Sequence, residues 1–337
     1  MIQLIQNEND WTSTLHEIGN FDFYHTYEYH KVFLKDGEEP WLIKYANGNS
    51  LIAVPFIKRS INGTDFYDLT SVHGYLGPVS SIGDDSFDLI DFKTKLEELL
   101  MNQKVVSVFS KLNPYIDHQE DVLANMGSIE QVGELLYIDL KTDAVLQRQK
   151  YRKSVKNDIN KLRRSFTVKV AENKEEIDEF INIYYETMER VSAHERFIFG
   201  QEYFNMLINS ENFDVKVLLV VSNETGDIAA GSLSLITNGI VQGELMGTKN
   251  EFLRMSPAKI LYDEIRLIGN ELNQNHLNYG GGAGGREGSV YMMKSGFTKE
   301  HIPLKVWKYV SDPTMYKKLT SQMNEKRESD FFPLYRA

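Results

Sequence analysis

Val215-Lys216-Val217-Leu218-Leu219-Val220-Val221, Ile228-Ala229-Ala230-Gly231-Ser232-Leu233-Ser234-Leu235-Ile236 and Ile240-Val241-Gln242-Gly243-Glu244-Leu245-Met246 are three apolar runs of strand length. The links between them, Asn223-Glu224-Thr225-Gly226-Asp227 and Thr237-Asn238-Gly239, are hairpin turn sequences, so the three runs predict an antiparallel meander. A helix over 174–191 precedes it, with Ile177, Phe180, Ile181, Tyr184, Tyr185 and Met188 as its apolar face, and a short helix is expected over 203–208. After the meander, Ser256-Pro257 carries the signs of a helix start, serine as N-cap and proline as first helical residue, with the helix running to about Leu272. A strand over 276–279, a glycine-rich run, a short helix and a last strand over 304–310 complete the second half. The order is helix, meander, helix, strand, helix, strand, and it defines a mixed α/β fold.

The first half has a looser version of the same order. A polar, aromatic stretch over 21–34 reads as helix. Trp41 to Ala46 and Leu51 to Lys58 read as two strands joined at Asn47-Gly48-Asn49. Phe66 to Leu69 reads as a further strand, leading into Ser71-Val72-His73-Gly74-Tyr75-Leu76-Gly77-Pro78. Residues 87–101 have helical spacing, and 105–109 and 135–140 are strands. From Thr142 to Arg164 the pattern predicts one strongly basic helix, followed by a strand over 166–170.

The glycine run is Asn278-Tyr279-Gly280-Gly281-Gly282-Ala283-Gly284-Gly285-Arg286-Glu287-Gly288, followed by Ser289-Val290-Tyr291-Met292-Met293-Lys294-Ser295-Gly296-Phe297. Glycine is costly to order and adds nothing to a core, so its concentration marks a close backbone approach or an unusual turn. Opening onto a helix, such a run offers N–H groups to an anion. Gly281, Gly282, Arg286 and Tyr291 are thereby candidate substrate-binding residues, and Lys294 brings a positive charge to the same place.

Composition narrows the chemistry. The chain has 337 residues, 42% of them hydrophobic and 25% charged, enough for two domains with a core each. There is no cysteine, which excludes disulfides, thiolate metal sites and cysteine nucleophiles. The eight histidines are scattered, so no metal ligand set is expected. A net charge of -11 argues against general nucleic-acid affinity. No apolar stretch approaches the ~20 residues of a membrane span, and Met1 to Asp10 lacks the basic and apolar regions of a secretory signal. A cytoplasmic protein is expected.

Two further features bear on function. Arg148, Lys150, Arg152, Lys153, Lys156, Lys161, Arg163 and Arg164 form a local reversal of sign, with Asp158 the one acid among them. Most of these side chains are expected to be solvated, while one or two, Arg152 among them, are candidates for a phosphate-bearing substrate. Glu244 shares a face of its strand with Gln242 and Met246 if alternation holds. A carboxylate there could deprotonate an attacking ammonium, whose ordinary pKa leaves it protonated near neutrality. Tyr75, Tyr184, Arg190 and Tyr291 are further candidate pocket residues.

A helix-covered meander followed by βαβ is the layout of the acyltransferase fold known as GNAT, and the chain resembles the FemABX-like family of tandem-GNAT acyltransferases. The resemblance rests on Tyr24 to Lys58 with Tyr75-Leu76-Gly77-Pro78, on Tyr151-Arg152-Lys153-Ser154-Val155-Lys156-Asn157-Asp158-Ile159, on Tyr185-Glu186-Thr187-Met188-Glu189-Arg190 with Tyr203-Phe204, and on Met293-Lys294-Ser295-Gly296-Phe297. The last looks like the family's Phe-Lys-x-Gly-Phe signature, with Met293 in place of the first phenylalanine. The resemblance implies two tandem GNAT-like domains, 1–145 and 146–312, the second entered through the basic helix, and a tail over 313–337.

It also implies that Lys294 binds or polarises the substrate near the reacting amine, with Lys31 as the counterpart of a phosphate-binding lysine in the first domain. The implied activity is N-acyl transfer to an amine on a cell-envelope precursor or amino-sugar. The donor would be acyl-CoA or aminoacyl-tRNA, with no tightly bound cofactor. Small-molecule or nucleotide-linked precursors are the expected partners, and tRNA if it is the donor. Two departures are visible. The chain lacks the long helical hairpin that some family members insert. The Gln/Arg-x-x-Gly-x-Gly/Ala loop that holds coenzyme A pyrophosphate is replaced by Phe252-Leu253-Arg254-Met255-Ser256-Pro257-Ala258-Lys259. The alternative reading is a non-catalytic GNAT-fold protein that senses a nucleotide-linked sugar or precursor.

Overall fold

The computed structural model describes residues 1–82, 88–282, 288–322 and 331–337. They form two compact units, Met1–Val132 with Pro303–Ala337, and Gly133–Ile302. Among the described residues no helix is long and apolar enough to cross a membrane.

In the first unit, β1 (Ile2–Ile5), α1 (Glu8–Ile18) and α2 (Tyr27–Val32) precede a hairpin of β2 (Glu39–Asn47) and β3 (Ser50–Ser60). The hairpin register pairs Asn47 with Ser50, so Gly48-Asn49 forms the tight turn that the sequence predicts, with Gly48 at φ 56°. β4 (Tyr67–Thr70), β5 (Val79–Ser81), α3 (Leu89–Asn102), β6 (Val105–Lys111) and α4 (Gln119–Val122) follow. Trp41, Ile43 and Tyr45 alternate inward on β2 and meet Phe92, Leu96 and Leu100 of α3 in one core. The stretch 21–34 is less helical than its composition suggests. It contains one 3-10 turn, Phe23–His25, and the short α2, separated at Thr26, whose backbone is extended.

The second unit holds most of β7 (Ser128–Asp139), then α5 (Ala144–Gln149), α6 (Lys153–Ser165), β8 (Phe166–Val170), α7 (Lys174–Arg190) and α8 (Gln201–Asn209). β9 (Asp214–Ser222), β10 (Ile228–Thr237) and β11 (Ile240–Thr248) are the meander, followed by α9 (Lys259–Glu271), β12 (His276–Gly280) and α10 (Ser289–Lys294). Its strands run in the order β7-β12-β11-β10-β9-β8. The β10–β11 hairpin turns on Asn238 and Gly239, both at positive φ (45° and 88°), the geometry that matches the twist of the flanking strands.

β13 (Glu300–Val310) and α11 (Pro313–Ser321) follow. Val306–Val310 of β13 ladders antiparallel onto Ser107–Lys111 of β6, in the first unit, while Leu136–Asp139 of β7 ladders onto β12, in the second. Cuts after residues 145 and 312 follow chain order. Contacts instead assign Pro303 onward, most of β13 included, to the first unit, and Gly133 onward, the second half of β7 included, to the second. Trp307 of β13 lies in the first core and donates its indole N–H to the Met126 carbonyl.

Two expected helix boundaries differ. The basic stretch after Thr142 is broken into α5 and α6, because at the break Tyr151 turns inward, where it is 3% exposed among Asp263, Arg266 and Phe297. α9 begins at Lys259 and not at Pro257. Ser256 adopts the left-handed conformation (φ 54°, ψ 49°) as the end of a 3-10 turn over Asn250–Met255, so it cannot serve as N-cap.

Candidate active site

The site is organised by an interruption in β11. Its register against β10 runs Leu245 to Leu233 and then Gly243 to Ser234, so Glu244 is the extra residue of a β-bulge. A bulge re-aims a side chain and ends regular pairing. The alternation expected for Gln242, Glu244 and Met246 is therefore broken: Gln242 is buried, whereas Gly243 is exposed and Glu244 half-buried. On its other side β11 meets β12 in a parallel ladder that covers Ile240–Gln242 against His276–Asn278. Among the described residues it goes no further, although β11 continues to Thr248. The two strands part at the level of Glu244.

The parting is built from specific groups. Asn278 donates to the Gln242 side chain at 2.8 Å and accepts from the Gly280 N–H at 2.8 Å. Gly280 has φ 72°, and the β12–β7 register shifts at the same point. The next carbonyl, that of Gly281, accepts a hydrogen bond from Lys294 Nζ at 3.1 Å. A Cβ on Gly281 would stand 3.0 Å from the Glu134 carbonyl, so a side chain here would press on β7.

Lys294 is the last residue of α10, and the residues after it explain its fixed position. A Cβ on Gly296 would stand 2.7 Å from Val155 of α6, and the Gly296 carbonyl accepts from the Arg152 N–H at 2.9 Å. Phe297 is buried among Tyr151, Tyr262 and Tyr279 at centroid distances of 5.3, 4.9 and 6.0 Å. In Lys-x-Gly-Phe, then, glycine admits α6, phenylalanine anchors the turn in the core, and lysine points to the parted strands. Met293 packs against the same core from its surface. Burial lowers the Lys294 ammonium to about 8, and the charge of Glu244, close enough to be felt, partly opposes that fall.

Glu244 has its own support. Tyr203 of α8 donates its hydroxyl to Glu244 Oε1 at 3.1 Å and stacks on Phe199 at 4.1 Å. Tyr184 of α7 has its phenol pushed up by burial and by the Glu244 charge. Tyr184 and Tyr185 donate to the carbonyls of Phe197 and Phe199, the second at 2.8 Å, fixing the aromatic wall. α7 itself lies tight against the sheet because Gly231 and Gly247, cross-strand partners, have no side chains. A Cβ on either would stand 2.8 Å from Phe180 or from the Ile183 carbonyl.

Thus Lys294 bonds Gly281 and lies within electrostatic reach of Glu244, and Gly282 follows half-buried. Arg152 is adjacent through its bond to Ser295 Oγ. Tyr291 lies one turn before Lys294 on α10, buried, with its hydroxyl 3.1 Å from His301 Nδ1, which in turn pairs with Glu134 at 3.3 Å. Arg190 serves the frame. It donates to the Thr248 carbonyl at 3.0 Å and to Asn250 Oδ1 at 2.7 Å, tying the end of α7 to that of β11.

Lys31, exposed on α2, and Tyr75, edge-on to Tyr24 at 5.6 Å, belong to the first unit. Arg286 lies outside the described residues. Of the basic stretch, Arg163 is held by Asp263 and Glu264, and Lys150 by Glu300. The sequence reading missed the roles of Tyr203, Asn278 and Gln242. A bulge has no signature in a period-two pattern, and a tyrosine on an apolar helix face reads as core. Among the described residues no group of three His, Asp or Glu side chains is placed to hold a metal ion.

Residues 149–283 match the family described as Acetyltransferase (GNAT) domain. The parted strands and Glu244 fall inside that match, and Lys294 just beyond it. No curated protein sequence matches the chain. Among solved structures, the fold is similar to that of FemX, at 9% identity and a TM-score of 0.72, covering 94% of this chain and 99% of that one. It is also similar to the C-terminal domain of a putative lysylphosphatidylglycerol synthetase from Agrobacterium fabrum, at 15% identity and a TM-score of 0.60 over 90% and 92% of the two chains. A protein of unknown function from Bacteroides thetaiotaomicron shares 13% identity and a TM-score of 0.60 over 92% and 100%. The chain is a mixed α/β protein, its residues 149–283 match the GNAT domain, and its fold is similar to that of FemX. The match over residues 149–283 supports acyl transfer as the broad chemistry of that region.

Proposed function

We propose that this chain is an N-acyltransferase that moves an acyl group from acyl-CoA to a primary amine on a small cell-envelope precursor or amino-sugar, in the cytoplasm. The observation that carries the reading is the meeting of Lys294, the Gly281 carbonyl and the bulged Glu244 where β11 and β12 part. Glu244 accepts the proton that the acceptor ammonium must lose, and the neutral amine attacks the thioester carbonyl. Lys294 stabilises the oxyanion that develops on that carbonyl. Collapse of the tetrahedral intermediate expels the thiolate, which takes the second proton from the attacking nitrogen and leaves as free thiol while the nitrogen becomes the amide. Tyr203 holds the Glu244 carboxylate, and the Tyr184–Phe199–Tyr203 wall excludes water. Arg152, Tyr291 and Gly282 border the second-unit site as substrate contacts. Lys31 and Tyr75, which belong to the first unit, and Arg286 are separate candidates for precursor binding.

The test is release of free thiol from acyl-CoA in the presence of a panel of amino-sugars and peptide amines, run beside charged tRNA as donor. Amine-dependent thiol release that drops strongly in Lys294→Ala, with an unchanged circular dichroism spectrum, supports the proposal. Release of uncharged tRNA instead would replace the donor. Ligand binding with no release from either donor would replace the enzyme by a sensor.

A further inference from the structure

The basic stretch contributes little to that site, yet its arrangement is not that of a neutralised helix. From Ala144 to Ser165 the chain carries eight cations and one acid in a protein of net charge -11, and of the eight only Lys150 and Arg163 are ion-paired among the described residues. Asp158 is itself taken by Lys259 at 2.6 Å. α6 buries Val155, Ile159 and Leu162, so at 100° per residue Lys153, Lys161 and Arg164 fall on its outward side, and all three are exposed. None of them is in an ion pair among the described residues.

Exposed apolar side chains lie on the two helices fastened to α6. On α5, Val145 is 65% and Leu146 49% exposed. α5 is fastened along α6 by Arg148 donating to Asn160 Oδ1 at 2.7 Å and by Lys156 donating to the Gln149 carbonyl at 3.2 Å. At the start of α6, Arg152 bonds Ser295 Oγ, which donates to the Met292 carbonyl at 3.0 Å. That brings α10 alongside, with Met292 52% and Val290 43% exposed.

We infer that the α5–α6–α10 face docks this protein peripherally on an anionic phospholipid surface. Clustered lysine and arginine are drawn to the negative potential of such a surface, and exposed aliphatic or thioether side chains beside them enter its headgroup–acyl boundary. A nucleic acid would match the charge but not the four apolar side chains, none of which is an aromatic on which a base could stack. α10 also carries Lys294, so docking through this face sets the candidate site beside the lipid surface. The inference stands on the surface alone and holds whether or not the chain transfers acyl groups.

The experiment is co-sedimentation of the full-length protein with vesicles of phosphatidylcholine alone or mixed equally with phosphatidylglycerol, over a salt series. Sedimentation with the mixed vesicles, weakening as salt rises and absent with phosphatidylcholine alone, is expected. Replacing Lys153, Lys161 and Arg164 together by glutamate should lower the partition coefficient by roughly tenfold or more. Val145→Ser with Leu146→Ser and Met292→Ser should spare binding at low salt and abolish it at physiological salt. Should the charge-reversed protein fail to fold by circular dichroism, the wild-type salt series decides, because binding indifferent to salt overturns the inference. No sedimentation with the mixed vesicles overturns it as well. So does release of bound protein by bulk tRNA at a concentration well below that of the lipid.

Discussion

Replacing Lys294 by methionine should leave the protein more stable and nearly inactive. Burial lowers the Lys294 pKa from 10.5 to about 8. At ~1.4 kcal/mol per unit, holding the charged ammonium there costs the folded state about 3 kcal/mol. The side chain remains half-buried and donates one hydrogen bond to Gly281, which returns about 1–2 kcal/mol. A methionine of similar length removes both terms, for a net gain of about 1–2 kcal/mol at pH 7. The sign follows from linkage. The folded pKa lies below the unfolded one, so the penalty is fully present below pH 8 and fades as pH rises toward 10.5. Urea denaturation of both proteins at pH 7 and near pH 10 measures it, the stability gap narrowing at the higher pH. Turnover should fall by about a hundredfold or more, the usual loss when one oxyanion-stabilising donor is removed. A methionine variant less stable than wild type at pH 7, or a gap indifferent to pH, would show that Lys294 is a structural residue and sink the argument.

Three other outcomes are expected. His25 and His30 are completely buried in the first unit and held down to about 4 and about 3, mainly by burial. The unfolded chain therefore binds more protons below pH 6.5, and stability should decline from there toward pH 3 by several kcal/mol. His30→Phe should flatten that decline in urea titrations at successive pH values. Gly247→Ala should destabilise by about 1–3 kcal/mol in thermal unfolding, because its Cβ meets the backbone carbonyl of Ile183, which no rotamer change can move. A neutral result would mean that α7 is free to shift outward. Tyr203→Phe removes the donor to Glu244 and leaves that carboxylate anion less stabilised. The acid limb of the pH–rate profile should then move to higher pH with the melting temperature nearly unchanged, and a profile identical to wild type would separate Tyr203 from Glu244.

Much of the second unit was legible in the chain. Asn238-Gly239 can occupy two successive positive-φ positions, and that local property sets the β10–β11 hairpin without tertiary help. The apolar period of 174–191 likewise delivers α7 within one residue of its end. The break between α5 and α6 was not legible, because lysines and arginines favour helix throughout. Only the buried Asp263–Arg266 pair and Phe297, more than a hundred residues away, draw Tyr151 inward.

Short-range physics controls the element types, the turns and the mixed α/β class, and these were legible in the chain alone, while Lys294 beside its Gly-Phe anchor stood out through resemblance to a family signature. Tertiary structure alone decided which strand Glu244 departs from and with which group it then meets. It also decided that β13 pairs with β6. Register and bulge position are settled by partners distant in the chain, since every local pattern is equally content with a shift of pairing. The charge of Lys294 is settled the same way. Its side chain is an ordinary lysine in the sequence, and only the walls folded around it lower the cost of losing its proton.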